Sequence, residues 1–134
     1  MPKFLLDTNI CIYIIKRIPD EVVQRMDKCK LGDVAMSSIT YAELEYGVLC
    51  AADPIGAKEQ LDILIKAVPV MPFDTAAATA YGPIRFATKE RKKDMMDKLI
   101  AAHAVALSAT LITNNVADFS VYPDIKIENW VHEN

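Results

Sequence analysis

Four acids in this chain, Asp7, Glu43, Asp97 and Asp118, are the residues best placed to do chemistry together. Asp7 ends the apolar run Lys3-Phe4-Leu5-Leu6 and is followed by two small polar residues, Thr8 and Asn9. The run reads as a buried strand, and Thr8 or Asn9 can cap a helix starting at Ile10, so Asp7 falls where a strand stops and a helix begins. Open α/β sheets place their sites at that junction. Four carboxylates gathered at one sheet edge would form a site for a cation.

Taken singly, three of the four acids are better explained by helix capping. Glu43 can complete a capping box with Thr40, Asp97 can face a helix dipole as the first-turn partner of Asp94, and Asp118 can close a turn begun at Asn115. Asp7 fits that account least. Thr8 and Asn9 already supply a cap, and a carboxylate directly after a buried strand risks costly burial.

If the four acids share one edge, their mutual repulsion raises their pKa values unless a cation lies between them. An oxygen-only donor set suits Mg²⁺ or Mn²⁺, and no His or Cys directly adjoins any of the four in sequence. His103 shares a helix with Asp97, but six residues at about 100° each turn it roughly 240° away, so it reads as a packed or surface residue. His132, near the end of the chain, carries no signal. With no credible His or Cys nucleophile, the remaining hydrolytic route is a metal-activated water and in-line displacement at phosphorus.

Alternating helical and strand patterns must position these acids. After the first strand, helices are predicted over 10–17 and 20–30, a strand over 33–37, and a helical hairpin over 40–52 and 55–67. A short strand over 68–73 is weakened by Pro69 and Pro72. Asp74 caps an alanine-rich helix containing Pro83 and carrying basic residues at its far end. A helix from Asp97 to Ala109, a buried strand over 110–113 and an edge strand over 126–130 complete the chain. This order predicts an α/β fold with a central parallel sheet of 4–5 strands flanked by helices.

The chain has 134 residues, 52% of them hydrophobic, which fits one compact domain spanning 1–134. Neither a signal-peptide pattern nor an apolar run near the ~18 residues of a membrane span is present, so a soluble, cytoplasmic protein is expected. Cys11, Cys29 and Cys50 form no Cys-x-x-Cys pair and are expected to be small core residues. The net charge of −3 is unlike that of a generic nucleic-acid coating protein. Arg85, Lys89, Arg91, Lys92 and Lys93 against Glu90 nevertheless leave +4 on residues 85–93 and −7 on the remainder. That stretch can hold an RNA backbone or be a solvated helix end, and its composition leaves both readings open.

Four ordered segments carry a resemblance: Leu5-Leu-Asp-Thr-Asn-Ile10, Ser37-Ser-Ile-Thr-Tyr-Ala-Glu-Leu44, Asp97-Lys-Leu-Ile-Ala-Ala-His-Ala104 and Leu111-Ile-Thr-Asn-Asn-Val-Ala-Asp-Phe119. In order, spacing and overall length the chain resembles the PIN-domain ribonucleases, specifically VapC-type toxins of bacterial toxin–antitoxin pairs. The resemblance implies a PIN-like fold and an Mg²⁺-dependent endoribonuclease, with Mn²⁺ as a substitute, held by Asp7, Glu43, Asp97 and Asp118. It also implies Thr8, Asn9, Ser38, Thr113 and Asn115 as groups that orient those carboxylates. Homodimerisation, neutralisation by a VapB-like antitoxin, contact with operator DNA only through that antitoxin, and a tRNA substrate, with initiator tRNA among the candidates, follow from the same resemblance.

One segment departs from the pattern. Where many relatives have Gly and Pro ahead of the third acid, this chain has Arg91-Lys-Lys-Asp-Met-Met96, adding a fifth acid, Asp94, read here as a helix cap rather than a metal ligand. The same fold could also serve as a non-catalytic RNA- or protein-binding module. A Mg²⁺-dependent phosphatase is a further alternative, but Asp7-Thr8-Asn9 lacks the Asp-x-Asp pair of the haloacid-dehalogenase-like enzymes.

Overall fold

The structure, a computed structural model, describes residues 1–131; His132 lies outside the described residues. The elements run β1 (Phe4–Leu6), α1 (Thr8–Lys16), α2 (Asp20–Asp27), β2 (Val34–Ser37), α3 (Ser38–Cys50), α4 (Pro54–Ala67) and β3 (Val70–Met71). They continue with α5 (Thr75–Ala87), α6 (Met95–Leu107), β4 (Thr110–Ile112), α7 (Val116–Phe119) and β5 (Lys126–Glu128). The five strands are all parallel in the order β3-β2-β1-β4-β5. From β1 the chain steps outward through β2 to β3, then returns to pair β4 on the other side of β1. The β1/β4 boundary is therefore the topological switch point, where α/β sheets open a crevice at the carboxyl ends of their strands.

The three central strands β2, β1 and β4 are largely buried on both faces, which is why they read as near-continuous apolar sequence rather than alternation. Side chains still divide with a period of two. Leu6, Val34, Met36 and Ile112 pack on one face with Ile10, Val22, Leu44, Leu61 and Leu64 of α1 to α4. Leu5, Ala35 and Leu111 pack on the other with Ile84 of α5, Ile100 and three alanines of α6, and Phe119 of α7. The alanines Ala101, Ala102 and Ala104 are fully buried, so α6 lies close against its neighbours. No helix of the described residues is long and apolar enough to cross a membrane.

Several local expectations are corrected. Asp7 itself is the N-cap of α1, accepting the Thr8 N–H, because the helix begins at Thr8 rather than Ile10. Ser37 caps α3, so Thr40 lies inside that helix and the expected Thr40–Glu43 capping box does not form. The third strand shrinks to two residues between its prolines, which cannot donate to a ladder, and the fifth stops at Glu128. Of the three cysteines only Cys11 is buried; Cys50 is exposed. Helix α5 ends at Ala87, so Lys89 to Lys93 occupy the loop beyond it rather than a helix end.

Candidate active site

Asp7 is fixed from the end of the neighbouring strand β4 and from the start of α1. Its N–H donates to the Ile112 carbonyl at 2.9 Å, continuing the β1/β4 ladder by one step before the chain turns into α1. Its Oδ1 accepts the Thr8 N–H and its Oδ2 accepts the Thr113 hydroxyl, each at 2.8 Å. Thr113 Oγ1 in turn accepts the Asn115 N–H at 2.9 Å, which leaves its proton aimed at Asp7. Burial pushes the Asp7 carboxyl above the usual carboxylate range, and the Glu43 charge adds to that, against the lowering effect of both hydrogen bonds.

Glu43 comes from the second turn of α3, where its Oε1 accepts the Thr8 hydroxyl at 2.5 Å. Thr40, one turn earlier on the same face, places its buried Oγ1 3.5 Å from the Thr8 oxygen. The T-x-x-E spacing that suggests a capping box is thus a shared helix face aimed at Thr8, and Thr40 is a site residue that the sequence reading misses. Asp97, in the first turn of α6, is half-buried. Desolvation, then the charges of Asp7, Asp118, Asp94 and Glu43, push its carboxyl up to about 6. The same field ties together acids from four separate elements.

Asp118, on α7, is exposed, and its Oδ1 lies 3.8 Å from a terminal nitrogen of Arg91. The Nε of that arginine donates to Asp94 Oδ2 at 3.1 Å, and the Tyr122 hydroxyl donates to the same oxygen at 2.6 Å. Asp94 Oδ1 accepts no hydrogen bond but faces the buried Lys98 ammonium at 3.3 Å. Lys98 also donates to the carbonyls of Thr88 and Arg91, at 3.1 and 2.7 Å. Asp94 occupies the N-cap position of α6 without making a side-chain cap bond, so it organises the preceding loop instead of ending the helix. Burial opposes its ionisation, but Tyr122 and Lys98 prevail and hold its carboxyl below the usual range. A cavity of about 470 Å³ opens here, lined by Glu90, Arg91, Lys92, Lys93, Asp94, Asp97 and Asp118.

The remaining expected residues divide. Thr8 and Thr113 touch the acids directly. Ser38 does not: its hydroxyl accepts the Phe73 N–H at 3.0 Å and anchors the segment entering α5. Asn9 and Asn115 are exposed, and Asn115 reaches the cluster through its backbone only. Among the basic residues, Arg91, Lys92 and Lys93 line the cavity, whereas Lys89 stacks 4.8 Å over the exposed Phe86 ring and Arg85 sits on an outward face of α5. His103 is buried, with Nδ1 2.7 Å from Ser37 Oγ, and its role is packing.

The donor set is carboxylate oxygen, which suits a hard divalent cation. Among the described residues no three acid, His or Cys side chains already converge to metal-ligating geometry. Glu43 is turned to Thr8 and Asp118 toward Arg91, and the charge left at Asp97 is relieved by its raised affinity for a proton. Those are the arrangements like charges adopt when a proton and neighbouring donors compensate them.

Residues 4–124 match the PIN domain family. The chain belongs to that family. This PIN domain is 36% identical over 132 residues to the ribonuclease VapC2 of Rickettsia felis, covering 95% of this chain and 97% of that protein. It is 35% identical to the tRNA(fMet)-specific endonuclease VapC of Shigella flexneri, covering 97% and 99%. Its backbone is similar to that of a chain in the crystal structure of DNA-bound VapBC from Salmonella typhimurium, with a TM-score of 0.88 and 36% identity over 97% of this chain and 99% of that one.

Proposed function

We propose that this chain, as a single PIN domain, is the ribonuclease toxin of a VapBC-type pair, hydrolysing an RNA phosphodiester and thereby blocking translation. The observation that supports the reading is that Asp7, tied to Thr113 and Thr8, and Glu43, held by the same Thr8, meet at the end of β1, while Asp97 and Asp118 line one cavity and the charges of the other three acids help to raise the Asp97 carboxyl. The relatives named ribonuclease or tRNA(fMet)-specific endonuclease support RNA, and a tRNA in particular, as substrate, with the initiator anticodon loop the specific candidate.

Asp7, Glu43, Asp97 and Asp118 would hold Mg²⁺, or Mn²⁺ in its place. When bound, such a cation supplies an activated water and neutralises charge developing at phosphorus. The protein's own part is positional. Thr113 and the Thr8 N–H fix both oxygens of Asp7, while Thr8 and Thr40 orient Glu43. Lys92 and Lys93 present charge to the RNA backbone at the cavity rim.

The partner reading follows from a second hollow, about 380 Å³, where Thr8 and Glu43 adjoin the apolar Ile12, Leu44, Val48 and Leu61. An amphipathic segment of a VapB-like antitoxin, ending in a basic side chain, would fill it and neutralise the acids. The matched VapBC structures support that partner; operator DNA would be reached only through the antitoxin. Homodimerisation and a cytoplasmic location complete the proposal. The deciding experiment incubates purified chain with bulk tRNA in Mg²⁺ or EDTA, beside Asp7→Asn. Cleavage confined to wild type with Mg²⁺ is expected; equal cleavage by a folded Asp7→Asn variant would refute the metal reading.

A further inference from the structure

The loop before α6 holds an arginine in a manner that loop structure alone does not require. Arg91 uses Nε on Asp94, while one terminal nitrogen, Nη2, lies 3.8 Å from Asp118 Oδ1, beyond hydrogen-bond reach. Among the described residues Nε is the one guanidinium nitrogen with a hydrogen-bond partner, so the terminal N–H donors remain available at the cavity. The scaffold behind it is rigid. Tyr122 donates to the oxygen that Arg91 also uses and lies under its guanidinium at 6.0 Å. Buried Lys98 balances the Asp94 charge and pins the carbonyls of Thr88 and Arg91.

The charges make the point sharper. Lys98 already compensates Asp94, so the Arg91 charge is not needed to stabilise that buried acid. Its remaining electrostatic partner is Asp118, an exposed acid that a cation in the site would draw away. A guanidinium with its plane set by Nε and its other donors facing a cavity is matched to an anion with paired oxygens.

Resting on the ribonuclease reading, we propose that Arg91 is a phosphate-binding residue, oriented by the Asp94–Tyr122–Lys98 scaffold, that contacts a backbone phosphate of the RNA and in the free protein competes with the cation for Asp118. Lys92 and Lys93 differ from it in kind, since they present flexible point charges whereas Arg91 is fixed in place before RNA arrives.

The test uses Arg91→Gln and Arg91→Lys in the full chain with two readouts that need no turnover. Binding of fluorescein-labelled bulk tRNA in EDTA is followed against salt, and Mn²⁺ binding without RNA is followed by calorimetry. For R91Q, tRNA affinity should fall roughly tenfold, with the slope of log affinity on log salt shallower by about 0.7. Its Mn²⁺ affinity should hold or rise by about two- to fivefold as Asp118 is released. R91K should restore the salt slope but only part of the affinity, because an ammonium lacks the planar fork. Unchanged tRNA binding by R91Q, joint loss of tRNA and Mn²⁺ binding, or failure of R91Q to fold would each make Arg91 a structural staple and overturn the inference. Wild type that does not cleave tRNA in Mg²⁺ would instead remove the ribonuclease reading, so the two failures are distinct.

Discussion

Thr113 donates its hydroxyl proton to Asp7 Oδ2 at 2.8 Å, joining the end of β4 to the end of β1 across 106 residues of sequence. The bond favours the ionised form of an acid whose carboxyl burial pushes above the usual range. Thr113→Val preserves shape and removes the donor. The Asp7 carboxyl should then rise further, so the acid limb of the pH–rate profile should move to higher pH, with a stability loss of about 1–3 kcal/mol. Cleavage rates over pH 5–9 check this, and an unmoved acid limb would show that Asp7 does not control it.

Asp97 predicts an inverted pH dependence of stability in metal-free protein. Its folded carboxyl lies at about 6 against an ordinary 3.8, so the folded state binds its proton more tightly than the unfolded state does. Its unfavourable contribution is absent below about 4 and grows until the pH has passed 6. Asp97→Asn should therefore melt on the order of a few degrees higher than wild type at pH 7.5 in EDTA, with the gap closing by pH 4. Melting curves at the two pH values decide this, and a variant less stable at pH 7.5 would contradict it.

The architecture was legible because buried parallel strands leave continuous apolar runs, and three of the acids because Asp7 ends a strand while Asp97 and Asp118 lie in the first turns of helices; Glu43, inside α3, stood out only by its spacing from Thr40. Capping was misread for a definite reason. Thr8, Asn9 and Thr40 are all plausible caps by type, and residue type cannot tell whether a helix starts one residue earlier. The Asp94–Lys98–Tyr122 network was not legible, since Tyr122 is 28 residues from Asp94 and a lysine directly after an acid reads as surface. Ser38 failed for a related reason: a serine beside the true cap, Ser37, has the right type but points its oxygen at Phe73.

Buried Lys98 gives a third prediction. Lys98→Met strips two carbonyls of their donor and leaves Asp94 with Arg91 and Tyr122 alone, so it should destabilise the fold by about 3–5 kcal/mol. Adding Asp94→Asn removes the stranded charge and should recover part of that loss. Urea unfolding of both variants measures the difference; no recovery in the double variant would mean that the carbonyl bonds, not the charge, dominate.

Asp118 and Asp97 should differ in how metal rescues them. Asp118 is about half exposed and lies on a four-residue helix, whereas Asp97 projects from the first turn of the packed α6. Asp118→Asn keeps a ligating oxygen and should cleave again at high Mg²⁺ or with Mn²⁺, while Asp97→Asn should stay inactive. Titrating cleavage against each metal separates the variants, and equal, unrescued loss would rank Asp118 with Asp97.

The basic stretch divides at the cavity rim, so its charges should not contribute equally. Lys92 and Lys93 line the cavity that Asp97 and Asp118 share, while Lys89 is held over Phe86 and Arg85 lies on a separate helix face. Replacing Lys92 and Lys93 by Ala should make the salt dependence of tRNA binding shallower by about 1.4, near 0.7 for each lost contact with a single-stranded backbone. Replacing Arg85 and Lys89 removes the same charge and should change the slope by less than half as much. Binding isotherms at several salt concentrations compare the pairs directly. Equal slopes would mean that the stretch acts through its net charge alone, with no defined path for the RNA along the rim.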